Sequence, residues 1–226
     1  RSWRTGSCWV PRLPALVALA VALVLVSDAN WFFLRPGPAV LNDMDEGYAQ
    51  AIARRMIEGR WLPYVDGVSH RGPVFYWVAA IGARVFGSES WLSMRVLAWL
   101  MLVSTLTLGF TTAVLLKRWL AGGIMALGYV AICLGSMSAH DGLAMNAEHV
   151  LNVFVLAALP CLIVGLRCAS SPRALAWLAV AGAPPMLGGL AKPVGLAALG
   201  PFGRGVAGAA RARGARAVLR VEQPLV

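Results

Sequence analysis

Residues 13–34 read LPALVALAVALVLVSDANWFFL, an apolar run that carries a single charged residue, Asp28. As an α-helix this run would extend about 33 Å, close to the thickness of the hydrocarbon core of a bilayer. Arg1, Arg4 and Arg12 precede it, which is also the pattern of a signal peptide. Because the run exceeds a typical signal-peptide core and no small-residue cleavage site is evident, it predicts a first membrane span with a cytoplasmic N-terminus.

The whole chain has the composition of a membrane protein. Its 226 residues are 59% hydrophobic and 13% charged, with a mean hydropathy of +0.70, whereas soluble domains are about half apolar. Further apolar runs predict spans at 91–116, 121–138, 148–166, 174–190 and, more weakly, 194–202. With about 20 residues per span, we expect an all-α integral membrane protein, a multi-pass bundle of about five to six spans.

The charge distribution favours the same class. The net charge is +10, but the basic residues flank the apolar runs instead of forming one stripe, so we expect no nucleic-acid partner. Cytoplasmic loops are rich in Lys and Arg, and Lys117, Arg118, Arg167 and Arg173 obey this rule if the N-terminus is cytoplasmic. In that orientation every acidic residue except Glu222 lies on or near the outer side, which predicts a site there.

Residues 42–90 form the polar insert of the predicted bundle. Residues 45–59 have the pattern of an amphipathic helix that lies in the membrane interface, and a second short helix is expected from Pro73 to about Phe86. Between them, Trp61 and Tyr64 would anchor at the headgroup level. We therefore predict a membrane domain at 1–202 with this insert as its outer loop, where the clustered acids predict a site.

The two ends of the chain are unusual. It begins at Arg1, and residues 203–226 form a basic tail rich in Ala, Arg and Gly that contains no apolar span. We expect this tail to be disordered or frame-disturbed, and the chain to be an N-terminal fragment.

Three carboxylates in residues 43–46, which read DMDE, begin the first predicted helix of the insert. They could be structural, since Asp43 or Asp45 can cap the helix and acids complement its positive end. They could also supply a general base or a metal ligand at the membrane surface, because neighbouring carboxylates near lipid hold a proton more readily. Spacing alone leaves both interpretations open.

Cations and histidines mark three further places. His70, Arg71 and Gly72 form either a turn or a phosphate site, since Arg binds phosphate oxygens in a bidentate manner. Glu148 and His149 stand at the mouth of a span, where ionisable groups are costly and usually functional, although an ordinary hydrated loop is the alternative. Lys192 lies between two apolar runs, from which it could snorkel to the surface or bind an anionic headgroup.

The order of these segments resembles the polyprenyl-phosphate-dependent glycosyltransferases of the GT-C fold. The nearest likeness is to the dolichyl-phosphate-mannose protein mannosyltransferases and the lipid A aminoarabinose transferases, glycosyltransferase families 39 and 83. The matching segments are DEGY at 45–48, WLPY at 61–64, RGPVFYW at 71–77, Phe86-Gly87, Arg95, NAE at 146–148 and GLAKP at 189–193. The resemblance covers roughly residues 13–201. It implies that the fold is a truncated GT-C-like bundle.

The resemblance implies a reaction and a set of roles. A sugar would pass from a polyprenyl-phosphate carrier to a hydroxyl of a protein, lipid or glycan at the outer face of the cell membrane. Asp45 would be the general base, supported by Glu46. The carrier phosphate would be bound by Arg71, where relatives often have Lys, together with Lys192 and Arg95.

The remaining implied roles concern the acceptor and metal. Glu148 would be a second acid on the acceptor side, next to His149. No cofactor is certain, and a divalent ion is a candidate ligand of Asp45, Glu46 and His70. Because relatives continue with further spans, we expect the 226-residue chain alone to be inactive. The alternative function is a non-enzymatic membrane protein that binds the carrier lipid, or a transporter component.

Overall fold

The computed structural model describes residues 12–34, 44–67, 71–88, 92–136, 142–168 and 173–193, together with 200, 203–204 and 207–208; the side chains of 31–34, 44, 45, 136 and 175 are outside this description. Seven α-helices form the described part. They are α1 Arg12–Leu34, α2 Met44–Ile57, α3 Pro73–Phe86, α4 Leu92–Leu115, α5 Trp119–Ala131, α6 Ala147–Arg167 and α7 Arg173–Ala191. A π-helical turn, Ile132–Ser136, continues α5.

Three of the helices, α1, α4 and α6, are long and apolar enough to cross a bilayer. The other apolar helices are shorter: α3, α5 with its π-helical turn, and most of α7. The chain is therefore helical and suited to a membrane, as the sequence predicts. The count of five to six spans and the orientation stay predictions, and the predicted span at 194–202 lies outside the described residues except for residue 200.

Helix α2 is amphipathic, as its sequence predicts. Ala49, Ile52 and Ala53 are buried, while Arg54 and Arg55 are exposed on the other side. The buried face packs against α3 and belongs to a hydrophobic cluster that also includes the first turns of α4 and α6. The apolar face of α2 is thus covered by protein, and its position in a membrane interface stays a prediction.

The prediction that Trp61 anchors at the headgroup level is wrong. Trp61 is only 8% exposed, and its ring packs edge-on against Tyr76 of α3 at 5.5 Å between centroids. Tyr64 is about half exposed, and its hydroxyl donates a hydrogen bond to the backbone carbonyl of Arg71 at 2.7 Å. The two aromatic residues therefore fix the loop between α2 and α3 to the protein.

Helix α3 begins and ends where its sequence predicts. Pro73 occupies its first turn, a position where the missing N–H and fixed φ of proline fit the helix. Exposed Trp77, Ile81 and Val85 form a stripe at spacings of four residues, whereas Tyr76 on the opposite side is buried. At 14 residues this helix is too short to span a bilayer comfortably.

Helices α1, α4 and α5 share a second hydrophobic cluster. Its buried members include Ala22 and Val26 from α1, Leu102 and Leu106 from α4, and Ala126 and Val130 from α5. Two polar contacts join α1 to α4 within this region. The indole of Trp99 donates to Ser27 Oγ at 3.0 Å, and the Asn30 amide donates to the carbonyl of Arg95 at 3.5 Å.

Helices α6 and α7 pack against each other along much of their length. The Asn146 side chain caps α6 by accepting a hydrogen bond from the backbone N–H of His149 at 3.0 Å. Before this cap, residue Gly142 lies so close to the π-helical turn that a β-carbon there would overlap the carbonyl of Cys133. The turn and the cap together set where α6 begins.

Candidate functional site

Gly72 joins the α2–α3 loop to the end of α7. Its N–H donates to the carbonyl of Ala191 at 2.8 Å, and a β-carbon on Gly72 would overlap the carbonyl oxygen of Leu190. Only glycine allows two backbones to approach this closely. The contact brings Arg71, which precedes Gly72, beside Lys192, which follows Ala191.

Lys192 and Arg71 both lie near one carboxylate. Lys192 Nζ forms an ion pair with Glu148 Oε1, and Arg71 is near enough to interact with Glu148 electrostatically. Arg71 is buried, and its guanidinium carbon lies 5.0 Å from the centre of the Phe75 ring. Three residues that the sequence singles out in separate segments therefore converge at one end of the bundle.

Glu46 and Arg95 form a second polar group, inside the protein. Glu46 Oε2 lies 3.1 Å from Arg95 Nε, and the two side chains are 4% and 1% exposed. Glu46 Oε1 accepts a hydrogen bond from the backbone N–H of Met145 at 2.8 Å. This pair ties the start of α2 to α4 and to the segment before α6. The role of Arg95 in binding the carrier phosphate, and that of Glu46 in catalysis, stay predictions.

Residues 145–148 connect the two polar groups. Met145 contacts Glu46 through its backbone, and Glu148 contacts Lys192 through its side chain. Three residues of chain span at most about 11 Å, so the groups share one end of the bundle. The backbone of Asp45 lies in the first turn of α2, next to Glu46. The side chain of Asp45 lies outside the described residues.

His149 points away from the surface. It is buried, and its Nδ1 lies 3.5 Å from the hydroxyl of Tyr129 on α5. The neighbouring Glu148 is exposed. The two residues predicted as an acceptor-side pair thus face different surroundings, with Glu148 on the Lys192 side and His149 in the interior. Their roles toward an acceptor stay predictions.

The predicted metal site has one described side chain, Glu46. Among the described residues no three His, Cys, Asp or Glu side chains gather around a common point. His70 and the side chain of Asp45 lie outside that part of the chain. A metal ion at Glu46 would have to compete with Arg95 for the carboxylate. The divalent ion therefore stays a prediction, and residues 45 and 70 would have to supply its other ligands.

Two features of this region escape sequence reasoning. The pairing of Glu46 with Arg95 joins residues whose separation follows no helical or strand period, so no local pattern predicts it. Glycine before proline marks Gly72 as a turn residue, but it does not show that Gly72 packs against the end of α7. Its partner Ala191 carries no such signal.

Comparison of the chain with protein-family models, with curated proteins and with solved structures gave no match. The likeness to GT-C glycosyltransferases therefore depends on the sequence segments quoted above.

Proposed function

We propose that the chain is a membrane glycosyltransferase of the GT-C type, or the first part of one, that uses a polyprenyl-phosphate sugar donor. The observation that carries the proposal is the convergence of Arg71, Lys192 and Glu148 at one end of the bundle. Residues 145–148 link this cluster to Glu46 at the start of α2. These are the segments that the resemblance assigns to the carrier phosphate and to the base. A truncated GT-C-like bundle of five to six spans in the cell membrane, with the site on the outer face, is part of the same proposal.

The proposed chemistry is an inverting transfer. Asp45 takes the proton of the acceptor hydroxyl, whose oxygen attacks the anomeric carbon of the donor sugar as the bond to the carrier phosphate breaks. Proton removal of this kind contributes typically about 10²–10⁴ in rate. Arg71 and Lys192 stabilise the charge that develops on the departing phosphate. The acceptor is a protein, lipid or glycan hydroxyl.

The burial of Arg95 shapes this proposal. With 1% of its side chain exposed, Arg95 is paired with Glu46 inside the protein. Arg71 is buried too, but it lies near Glu148 together with Lys192, so the proposal uses Arg71 and Lys192 as the phosphate cations.

Binding of polyprenyl phosphate to the purified chain tests the phosphate site. Each of Arg71→Gln and Lys192→Gln should weaken binding roughly tenfold or more, since a charge-assisted hydrogen bond is lost. Arg84→Gln is the matched control, because Arg84 is exposed on α3 and outside the cluster. Equal effects of all three substitutions would contradict a specific phosphate site.

Sugar transfer tests the catalytic assignment. The assay uses membranes from cells that express the chain together with any coding sequence that follows residue 226. Asp45→Asn should abolish transfer while leaving polyprenyl-phosphate binding unchanged. Full transfer by that variant would refute Asp45 as the base.

The second candidate is a protein that binds the carrier lipid without transferring a sugar, alone or within a transporter. The ion pair of Lys192 with Glu148 near Arg71 favours it equally, since a phosphate site needs no base. This function predicts binding that depends on Arg71 and Lys192, and no sugar transfer with or without Asp45.

A further inference from the structure

A cavity of about 250 Å³ lies between α4, α5 and α6. Its walls are mostly apolar and include Leu106, Val155 and Leu156. Met125, also in the wall, is 39% exposed, so the cavity reaches the outer surface of the bundle. Because α4 and α6 are long enough to cross a bilayer, a membrane around these helices would bring lipid to this opening.

Three uncharged polar side chains line this cavity: Thr105, Tyr129 and Asn152. Thr105 is 4% exposed, and its hydroxyl makes no hydrogen bond of standard length and angle with any residue in the described part of the chain. The Tyr129 hydroxyl lies near both Thr105 and Asn152. A buried hydroxyl whose hydrogen bonding is incomplete is costly, and a ligand oxygen in the cavity would lower that cost.

We propose that this cavity binds the uncharged part of a membrane amphiphile, an aliphatic chain that carries one hydroxyl or carbonyl oxygen. The oxygen would bond to Thr105 and its polar neighbours, and the chain would lie against the apolar wall. None of the described side chains that line the cavity is charged, so the charge of a charged group bound there would not be compensated. Size also fits, since a dry apolar cavity of about 150 Å³ already accepts benzene.

The polar side chains of the cavity, and not its position, distinguish it from the proposed carrier site. Asn152 lies one helical turn from Glu148 along α6, about 6 Å along the axis. The isoprenoid chain of a carrier has no oxygen beyond its phosphate end, so it would not satisfy Thr105. The cavity is therefore proposed as a second lipid site, and it does not depend on the glycosyltransferase proposal.

Photolabelling tests this site directly. The probe is a medium-chain fatty alcohol that bears a diazirine, applied to the purified full chain in nonionic micelles, with the corresponding alkane probe in parallel. The alcohol should label peptides of α4, α5 or α6 in preference to the alkane. Unlabelled alcohol should compete for this labelling, and polyprenyl phosphate should compete poorly.

Thr105→Val removes the hydroxyl with little change in shape and should weaken alcohol labelling roughly threefold to tenfold, the value of one hydrogen bond. Thr107→Val is the matched control, because Thr107 lies on the same helix, is exposed and bonds to the carbonyl of Val103 at 2.8 Å. Val155→Phe, which fills the cavity, should also reduce labelling.

Three results would overturn the proposal. They are equal labelling by alcohol and alkane, equal effects of the two threonine variants, and labelling that survives Val155→Phe. Water alone in the cavity would produce the first of these. If Thr105→Val does not fold, competition by unlabelled alcohol in the unaltered chain and the Val155→Phe variant still decide the question.

Discussion

Replacing Glu46 by Gln would remove one charge from the buried pair between α2 and α4 while changing little else. Gln keeps an oxygen that can accept the hydrogen bond from the backbone of Met145, which Glu46 accepts at 2.8 Å. What disappears is the partner charge of Arg95, whose side chain is 1% exposed. The substitution therefore isolates the cost of a buried guanidinium that has lost its carboxylate.

The expected magnitude follows from burial. Breaking a buried ion pair by removing one partner costs about 3–5 kcal/mol, because the remaining charge stays away from water. The chain offers a matched exposed pair, Arg54 with Glu58, at 3.0 Å and with side chains 51% and 34% exposed. Such a pair between positions i and i+4 of a helix contributes about 0.3–0.5 kcal/mol. Glu46→Gln should therefore destabilise the chain several times more than Glu58→Gln.

The measurement is the free energy of unfolding in detergent micelles, followed by circular dichroism across a denaturant titration. The double variant Glu46→Gln with Arg95→Met should recover part of the loss, since it also removes the buried guanidinium that Glu46 neutralises. The reasoning fails if Glu46→Gln and Glu58→Gln differ by less than about 0.5 kcal/mol, the error expected of such comparisons. It also fails if the double variant is no more stable than Glu46→Gln.

Three further substitutions have defined outcomes. Gly72→Ala would force a β-carbon onto the end of α7 and should cost about 1–3 kcal/mol in unfolding free energy. Gly47→Ala is the control, because Gly47 has open space around it, and it should cost far less. Equal losses would contradict the close approach. Glu148→Gln removes the carboxylate beside Lys192 and should tighten polyprenyl-phosphate binding roughly fivefold, a change that equilibrium binding detects; weaker binding would argue against a phosphate there. Asn146→Ala removes the cap of α6 and should lower stability by about 1 kcal/mol in the same denaturant titration, and an unchanged midpoint would mean that the cap is dispensable.

The sequence predicts the helices of this chain well because each leaves a local signal. Apolar runs long enough for a bilayer mark α1, α4 and α6, and the bounds of α3 follow from Pro73 and from Gly87 just beyond its end. The amphipathic pattern of α2 correctly separates its buried face from its exposed arginines. A pattern says that a face is apolar, however, and not whether lipid or protein covers it. For this reason the prediction for Trp61 is wrong.

Contacts between distant segments could not be predicted in the same way. The sequence draws attention to Arg71, Lys192 and Glu148 one by one, but their convergence depends on the path of the backbone through Gly72. Glu46 is similar, since its helix is evident while its burial against Arg95 requires the packing of α2 on α3 and α4. The hydrophobic periodicity of a sequence does not show which residues bind a ligand or catalyse a reaction. Those roles are proposed here from the resemblance alone.

The bond between Gly72 and Ala191 also has a consequence for the order of events during synthesis. Gly72 leaves the ribosome long before Ala191, and at roughly 5–20 residues per second the delay lasts several seconds. During that time the Gly72 N–H lacks the acceptor that it has in the finished protein. The loop that carries Arg71 can therefore reach its final position only after α7 has been made and has packed, and a nascent chain halted before Ala191 would lack both Lys192 and the acceptor of the Gly72 N–H.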